Sequence, residues 1–414
     1  MATTTALFTE KDYATDLPDI FEAVDELLAL ERELNSLFPE REFLIRQMVL
    51  SVLMRMNILI YGTYGTGKSL LIRQFIECLG VDANEVFAIE LTRFTTEADV
   101  FGPIDVPLMR DQGIQRRNPA GTIRGALYAE VDEIFDAEQL MRSLLGVLHE
   151  RFYRRGADSG PVPLRSAIAS TNVNPGDLVK RFPNLDAVVD RFLFQCNVHW
   201  LEADDGLLSM FESFLRGKTP TTRVDHGKLL LASTLITDPT DQIDLELLGP
   251  FLEIVKAVLA AWKNKGWRRF SDRSICLWLV ALEANAILNK RYKVSPVDFR
   301  VLKHVVCSGD PDQLAAFEAA TGDIVEQAIQ DHQAMSIDDA VLMAIEAVRS
   351  DWPNEPDATT TSSELVYMRR KFTAHRRTAA TMGPQLPATQ ALVRELTRDI
   401  DARASELDAL IIGS

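Results

Sequence analysis

The sequence predicts an α/β fold: a parallel sheet flanked by helices, followed by an all-α lid and a helical C-terminal extension. Short apolar runs alternate with helical stretches between residues 57 and 200, and beyond residue 201 the apolar spacing is almost entirely helical. The length of 414 residues also favours several structural units, because single cores stop growing near roughly 250–300 residues. We expect the α/β core over residues 1–205, the lid over 206–312 and the extension over 313–414.

The core is predicted to begin with two helices and to continue with five strands. Apolar positions recur at helical spacing over residues 17–56, and Pro39 divides them into two helices. The five short apolar runs that follow are Ile58–Tyr61, Val86–Leu91, Leu127–Val131, Ser166–Ser170 and Phe192–Val198. Because helical stretches separate these runs, we expect parallel strands with helices on both faces.

The second half of the chain is predicted to be helical. The expected helices cover residues 244–263, 272–290, 297–306, 364–380 and 388–411. Pro296 is well placed to open the third of them. Residues 351–363 are rich in Pro, Asp, Thr and Ser, which is typical of a linker, and Gly383-Pro384 separates the last two helices.

The composition indicates a globular protein with an acidic surface. The net charge of −16 argues against a broad surface for DNA, because DNA affinity depends on clustered Lys and Arg. The four cysteines have no CxxC spacing, so neither a disulfide framework nor a zinc cluster is indicated. No leader peptide and no run of about 18 apolar residues is visible, so we expect a cytoplasmic protein without a membrane span.

The strongest motif is a glycine-rich loop between a strand and a helix. It reads Gly62-Thr63-Tyr64-Gly65-Thr66-Gly67-Lys68-Ser69 and matches the Walker A pattern in sequence and in context. Glycines let the backbone curl so that its amides converge on phosphate oxygens at the positive end of a helix dipole. We expect this loop to bind ATP, with Lys68 at the β- and γ-phosphates and the Ser69 hydroxyl on Mg²⁺.

An acidic pair at the end of a later strand is the second motif. Residues 126–134 read Ala-Leu-Tyr-Ala-Glu-Val-Asp-Glu-Ile. Asp132 is expected to hold Mg²⁺ through water, and Glu133 is expected to polarise the attacking water. Glu130 is unusual, since a carboxylate inside a central strand needs a partner or an exposed face.

Further stretches resemble the AAA+ superfamily and, within it, MoxR ATPases of the RavA-like branch. Residues 91–103 (Leu-Thr-Arg-Phe-Thr-Thr-Glu-Ala-Asp-Val-Phe-Gly-Pro) are similar to the segment after the second core strand. Residues 104–124, with a hairpin-like turn at Asp111-Gln112-Gly113, resemble the insertion into helix 2, and residues 151–165 resemble the β-hairpin before sensor 1. In that family both hairpins line or approach a central pore. The resemblance covers about residues 35–312 and implies an AAA+ P-loop core with a lid.

Two polar positions take roles from this resemblance. Residues 168–172 (Ile-Ala-Ser-Thr-Asn) resemble the sensor 1 strand, with Asn172 at the position that orients the attacking water. Residues 188–194 (Val-Val-Asp-Arg-Phe-Leu-Phe) resemble the segment that carries the arginine finger. Arg191 is then expected to reach the nucleotide of a neighbouring subunit, and Arg181 is the competing candidate.

A third resemblance lies in the predicted lid. Phe270-Ser271-Asp272-Arg273-Ser274 resembles the sensor 2 signature, with Ser271 as a helix cap and Arg273 projecting toward nucleotide. RavA-like chains usually carry a second Arg where Ser274 stands. Arg268 and Arg269 are the alternatives for sensor 2.

The resemblance implies an ATPase that uses ATP and Mg²⁺ and works as an oligomeric ring, expected to be a hexamer. The ring would remodel, activate or mature a protein client, with a von Willebrand factor A domain protein as partner. One alternative is a nucleic-acid-stimulated motor, and its candidate contacts are Arg116, Arg117, Arg154 and Arg155. The other is a low-turnover nucleotide-gated scaffold, against which Glu133 and Arg191 count.

Two further features are predicted to be structural. His304 and Cys307 lie one helical turn apart but lack a second ligand pair, so packing is favoured over metal binding. The basic residues of 369–377 are expected to form a solvated helix face balanced by the acidic residues of 393–408.

Overall fold

The polypeptide forms two units. The computed structural model describes residues 16–156, 158–182, 185–238, 242–353, 356, 360–384 and 387–413. The first unit ends at Ile324 and the second begins at Val325, so the α/β region and the lid belong to the same unit. Within the described residues, no helix is both long and apolar enough to cross a membrane.

The helices and strands follow the predicted alternation. The helices are α1 (Leu17–Leu37), α2 (Glu42–Leu53), α3 (Lys68–Cys78), α4 (Glu97–Phe101), α5 (Val106–Gln112), α6 (Met141–Leu145), α7 (Pro175–Arg181), α8 (Asp186–Val189), α9 (Asp204–Leu215), α10 (His226–Thr237), α11 (Leu248–Lys265), α12 (Asp272–Leu288), α13 (Lys303–Val306), α14 (Pro311–Ser350), α15 (Ser362–Thr381) and α16 (Pro387–Gly413). The strands are β1 (Asn57–Gly62), β2 (Val86–Glu90), β3 (Tyr128–Asp132), β4 (Phe152–Arg155), β5 (Asp158–Pro161), β6 (Ser166–Thr171) and β7 (Phe192–Val198).

Five parallel strands form the central sheet, in the order β2-β3-β6-β1-β7. The central strands are buried on both faces rather than alternating, because helices cover the sheet on both sides; Ile58, Leu59 and Ile60 are fully buried. The predicted parallel α/β core is confirmed. Since β1 and β7 run side by side, Asn57 lies beside Phe192 at one edge of the sheet and Gly62 beside Val198 at the other.

Glu130 is the one acidic side chain predicted inside a central strand. It lies in the middle of β3 and is almost completely buried. Burial raises the pKa of its carboxyl group, and the nearby charge of Arg73 on α3 opposes that rise. A nearby cation on the helix that follows the glycine-rich loop therefore offsets part of the cost of burying this carboxyl group.

The two segments predicted as hairpins differ. The hairpin within residues 151–165 is confirmed, since β4 and β5 pair antiparallel. The predicted turn at residues 111–113 is wrong, because these residues end a helix, α5. Asp105 caps that helix by accepting from the Leu108 amide (3.0 Å), and Gly113 ends it in the left-handed conformation. The capping residues at the two ends of α5 therefore determine the structure of this segment. A single antiparallel bridge between Ile104 and Arg117 joins the two ends of the segment.

The stretch predicted as the lid, residues 206–312, contains most of α9, then α10 to α13 and the start of α14. The predicted Ser271 cap of α12 is confirmed, since its side chain accepts from the Ser274 amide (3.2 Å). The α-helix predicted after Pro296 is wrong in type: residues Pro296–Leu302 form a 3-10 helix that leads into α13. The buried Asp298 carboxylate holds the start of this segment, because it accepts from the Ser295 amide (2.8 Å) and pairs with Arg291 (2.7 Å).

In the second unit, α15 packs against α16. Leu396 and Ile400 are fully buried in the apolar cluster between them. Arg369 pairs with Asp408 (2.8 Å) and Arg376 with Asp401 (2.7 Å), so the predicted charge balance between the two helices is confirmed. Residues 351–361 separate α14 from α15, as the composition of that segment predicted.

Candidate functional site

The loop between β1 and α3 forms a cradle of backbone. Gly62, Gly65 and Gly67 all have positive φ angles. At Gly62 a Cβ atom would lie 2.1 Å from the carbonyl oxygen of Val198, so only glycine fits there. At Gly65 and Gly67 no described atom comes within 4 Å of such a Cβ, so space is open in front of the N-terminus of α3. Because that terminus is the positive end of the helix dipole, this geometry fits a chain of phosphates.

Lys68 lies at the mouth of this cradle. Its Nζ donates to the carbonyl oxygens of Gly62 (3.0 Å) and Thr63 (2.8 Å) and to Asn172 Oδ1 (3.1 Å). Burial lowers the pKa of Lys68, and the nearby Glu133 carboxylate opposes that shift. The ammonium group is therefore held where β- and γ-phosphate oxygens would come to lie.

Asp132, at the end of β3, faces the start of α3. Its Oδ2 accepts from the Ser69 hydroxyl (3.2 Å), and its Oδ1 accepts from the Ser170 hydroxyl and from the Glu133 amide (3.0 Å). Hydroxyl and carboxylate oxygens are the ligands that Mg²⁺ prefers. The pair Ser69 and Asp132, predicted as metal residues, therefore lies together in a donor set that fits Mg²⁺.

Glu133 and Asn172 are joined beside Lys68. The Asn172 side-chain amide donates to Glu133 Oε1, and its backbone amide donates to Glu133 Oε2 (3.4 Å). Burial raises the pKa of Glu133, and the hydrogen bond from Asn172 lowers it. Glu133 also has a φ of 48°, a left-handed conformation that costs of order 1–3 kcal/mol for a non-glycine residue and is concentrated at functional sites.

The remaining loop residues have structural contacts. Thr66 donates to the Thr63 carbonyl oxygen (3.1 Å), which tightens the loop. Tyr64 is largely exposed, and its carbonyl oxygen accepts from Trp200 Nε1 (3.2 Å). The two aromatic rings lie edge to face at 6.1 Å. Tyr64 and Trp200 thus present an exposed aromatic pair beside the phosphate cradle.

Arg191 lies at the opposite edge of the sheet. It directly precedes β7, and its carbonyl oxygen accepts from Asn57 Nδ2 (3.2 Å) at the start of β1, whereas the glycine-rich loop follows the end of β1. Along β1 these edges are roughly 17 Å apart, at about 3.3 Å per residue. Arg191 therefore cannot reach the cradle of its own subunit.

Arg273, predicted to project toward nucleotide, also lies at this opposite edge. Its Nη2 donates to the Asp190 carbonyl oxygen (2.8 Å), and its Nη1 lies 3.0 Å from His149 Nε2. Burial lowers the pKa of Arg273, and the positive charge of Arg191 lowers it further. Arg273 therefore lies away from the cradle of its own subunit, because the packing of α12 places it beside Asp190 and Arg191.

These side chains border a cationic cavity of about 300 Å³. Its charged lining consists of Arg55, Arg151, Arg191, Arg273 and Asp190. The Nε groups of Arg191 and Arg273 are buried and have no hydrogen-bond partner in the described part of the chain. Buried, unpaired guanidinium donors are costly, so this cavity has the chemistry of an anion site.

Comparison with known proteins identifies the family. Residues 25–234 match the model of the MoxR domain in the MoxR-vWA-beta-propeller ternary systems, which is half of the chain. The chain belongs to the MoxR family. Two uncharacterized proteins of Methanocaldococcus jannaschii are 28% and 29% identical to it, each over 69% of this chain and over 70% and 72% of their own length.

The fold of this MoxR protein also has a counterpart among solved structures. A crystal structure of a candidate ATPase from Cytophaga hutchinsonii superimposes with a TM-score of 0.54 over 77% of this chain and 98% of that one. At 16% identity this likeness concerns the fold alone. Together with the family match it identifies a MoxR-type AAA+ ATPase, and neither comparison resolves a RavA-like branch within the family.

The sequence did not reveal every residue that lines the cationic cavity. His149 reaches Arg273 because residues Gly146–Glu150 form a π-helical turn, which often marks functional positions. Arg151, with a φ of 54°, is largely buried and donates to the carbonyl oxygens of Leu148 (2.8 Å) and Arg55 (3.0 Å). The local feature behind this arrangement is the left-handed conformation of Arg151 directly after the turn, and no pattern in the sequence predicts it.

The alternative arginines differ in placement. Arg181 ends α7, and its side chain lies outside the described part of the chain. Arg268 pairs with Asp186 (2.7 Å) and lies 3.8 Å from Asp190, at the same edge as Arg191. Arg269 is 80% exposed at its side chain, so it contributes little to the cavity.

Proposed function

We propose that this MoxR ATPase works as a ring, as the predicted hexamer, in which each nucleotide site is completed by the neighbouring subunit. The observation that carries the proposal is the division of the predicted catalytic residues between two edges of one sheet. Lys68, Asp132 and Glu133 lie at one edge, and Arg191 and Arg273 lie at the other. A head-to-tail arrangement brings opposite edges of successive subunits together, and it gives a ring when the rotation between successive subunits closes.

Within one interface the residues have distinct tasks. Lys68 and the loop amides would bind the phosphates, and Ser69 with Asp132 would hold Mg²⁺, which supplies charge neutralisation when bound. Glu133 would take the proton of the attacking water, and Asn172 would hold Glu133 and that water in place. Arg191 and Arg273 of the neighbour would stabilise negative charge on the phosphate that leaves.

The client is proposed to be a protein. The family description names a von Willebrand factor A protein and a β-propeller, and a partner with a von Willebrand factor A domain follows from it. Three of the four arginines named as nucleic-acid contacts pair internally, Arg117 with Glu97 (3.0 Å), Arg154 with Glu150 and Arg155 with Glu97, which supports a protein over nucleic acid. The fourth, Arg116, is 60% exposed at its side chain and lies 4.0 Å from Asp158. We place this activity in the cytoplasm.

The experiment that tests the ring is turnover measured against protein concentration. We expect ATP hydrolysis per subunit to rise steeply with concentration and then level off, because isolated subunits lack the arginines of a neighbour. Glu133→Gln should bind ATP, assemble and hydrolyse at least a hundredfold more slowly. Lys68→Ala should fail to bind ATP. Turnover per subunit that is independent of concentration, from a protein that stays monomeric, would refute the ring.

The remodelling step has its own test. Glu133→Gln held in ATP should retain a purified partner with a von Willebrand factor A domain from the same system, and Lys68→Ala should not. Stimulation of turnover by DNA or RNA, with no retention of that partner, would instead favour the nucleic-acid motor.

A further inference from the structure

Helix α9 has its apolar side facing outward. The fractional exposures of Leu208, Phe211, Phe214 and Leu215 are 59%, 51%, 85% and 82%. These residues follow one another at spacings of three and four, so they form one stripe along the helix. An ordinary surface helix buries such a stripe and exposes its polar side. In α9 the apolar side is exposed instead.

Small residues hold α9 against the rest of the first unit. Gly206 is the one buried residue of the helix, and a Cβ there would lie 2.7 Å from Glu40 Oε1. Ser209 and Ser213, which lie three and seven positions further, are half-buried, and Ser209 donates to the Ser36 carbonyl oxygen (3.5 Å). The close approach at Gly206 fixes which side faces inward. The outward apolar stripe therefore follows from the packing of the helix.

The start of α9 is tied to the nucleotide edge. Glu40 accepts from the amides of Glu202 (3.1 Å) and Ala203 (3.0 Å), directly before the helix. Trp200, two residues earlier in the chain than Glu202, donates to the carbonyl oxygen of Tyr64 in the phosphate cradle. The exposed aromatic pair at the cradle is thus followed directly along the chain by α9.

The size of the stripe fits part of a protein interface. With about 200 Å² of accessible surface for each large side chain, the four residues expose roughly 500 Å² of apolar surface. Monomeric proteins rarely expose contiguous patches above a few hundred Å². A stable interface covers about 800 Å² on each partner, so the stripe is large enough to form its apolar centre.

The charges next to the stripe indicate the occupant. Three acidic residues, Glu202, Asp204 and Asp205, lie at the N-terminal end of α9. At its other end Arg216 lies 3.9 Å from Glu212 and is followed by Lys218, so the negative charge is concentrated at the start of the helix. The opposite edge of the sheet is basic, with Arg55, Arg151, Arg191 and Arg273 around one cavity. Opposite charges at two separate surfaces of one chain favour head-to-tail contact between copies. They disfavour contact between two copies of the same edge, because that would bring like charges together.

We propose that α9 is an assembly surface, covered by the basic edge of a second copy of this chain when the nucleotide site is completed. This inference rests on the proposed ring and names one of the surfaces that form it. The acidic N-terminal end of α9 would select the basic edge, and the apolar stripe would provide the contact area. Nucleotide binding and subunit contact then occur at adjacent places on the same edge.

The test uses the full chain in the Glu133→Gln background with Mg²⁺ and ATP. Phe214→Ser with Leu215→Ser should raise the protein concentration at half-assembly at least tenfold in sedimentation velocity. The matched control is Leu245→Ser with Leu252→Ser, two leucines that are 81% and 50% exposed on the lid side, and assembly should not change. Binding of a fluorescent ATP analogue at low protein concentration should be the same in all three proteins, which shows that the fold and the cradle are intact.

The possible results separate the two proposals. Unchanged assembly of the α9 variant overturns the role of α9, and the ring stands if the parent protein still assembles. Normal assembly with loss of binding to a von Willebrand factor A partner also overturns it, because the stripe then serves that partner. A parent protein that stays monomeric in ATP overturns both. A tenfold shift for the α9 variant alone supports α9 as the assembly surface.

Discussion

Mixing two inactive variants gives the sharpest test of a site shared between subunits. Glu133→Gln removes the predicted base at one edge of the sheet, and Arg191→Ala removes the predicted finger at the other. Because β1 separates these edges by roughly 17 Å, the two residues cannot serve the same nucleotide within one subunit. Each variant alone should lose most of its turnover, the finger variant by about 10³-fold or more.

The recovered activity can be calculated from the geometry. An interface is active when the subunit that holds ATP has Glu133 and its neighbour has Arg191. In an equal mixture that assembles at random, half of the subunits that hold ATP are Arg191→Ala and keep Glu133. Half of their neighbours are Glu133→Gln and keep Arg191, so about one quarter of the interfaces are complete. If interfaces act independently, turnover should therefore reach about a quarter of the wild-type value, far above either variant alone.

The assay is steady-state phosphate release across mixing ratios, with two affinity tags to show that mixed assemblies form. Turnover should pass through a maximum at equal amounts. Glu133→Gln mixed with Lys68→Ala is the matched control, because both changes affect the same edge and no interface regains a complete set. Recovery in the control, or no recovery at any ratio of the first pair despite mixed assembly, would refute the shared site.

Two further outcomes are expected. His149→Ala should lower kcat about tenfold with little change in the KM for ATP, because Arg273 loses a hydrogen-bond partner worth about 1.5 kcal/mol. His149→Gln keeps an acceptor and should recover part of the rate. Equal kcat values for the two variants would exclude a positioning role for His149. Burial lowers the pKa of His304 to about 3, so below pH 6.5 the unfolded chain binds a proton that the folded chain does not. The free energy of unfolding should thus fall by about 1.4 kcal/mol per pH unit from this group as the pH drops toward 3, and urea titrations of His304→Leu should show a smaller pH dependence than wild type.

The cradle could be predicted from the sequence because its signals are local. Gly62, Lys68 and Ser69 lie within a few residues of one another, and the strand before them and the helix after them have clear periodicity. Asp132 and Asn172 come from other strands, but parallel strands end at the same edge of the sheet. A correct strand assignment was therefore enough to bring these residues together.

The opposite edge was less predictable because it depends on how separate elements pack. Arg273 was expected near nucleotide, yet α12 carries it to Asp190 and His149. The position of a lid helix against a sheet follows from many contacts between distant parts of the chain. The π-helical turn that presents His149 is likewise stabilised by Arg151, which donates to three backbone carbonyl groups and to Asn57 Oδ1, acceptors that form no recognisable motif in the sequence.

Asp190 explains how two arginines can share the cavity. Its carboxylate lies 3.4 Å from Arg191 Nη1 and 3.5 Å from Arg273 Nη2, and without it the two guanidinium groups would repel each other. The carboxylate pairs with their Nη groups, whereas both Nε groups remain buried and unpaired in the described part of the chain. Asp190 therefore offsets the positive charge of the two arginines, which keeps this edge stable enough to fold. The two Nε donors can still bind an anion. A nucleotide held by another copy would provide that anion, which is why the affinity between subunits should rise when ATP is bound.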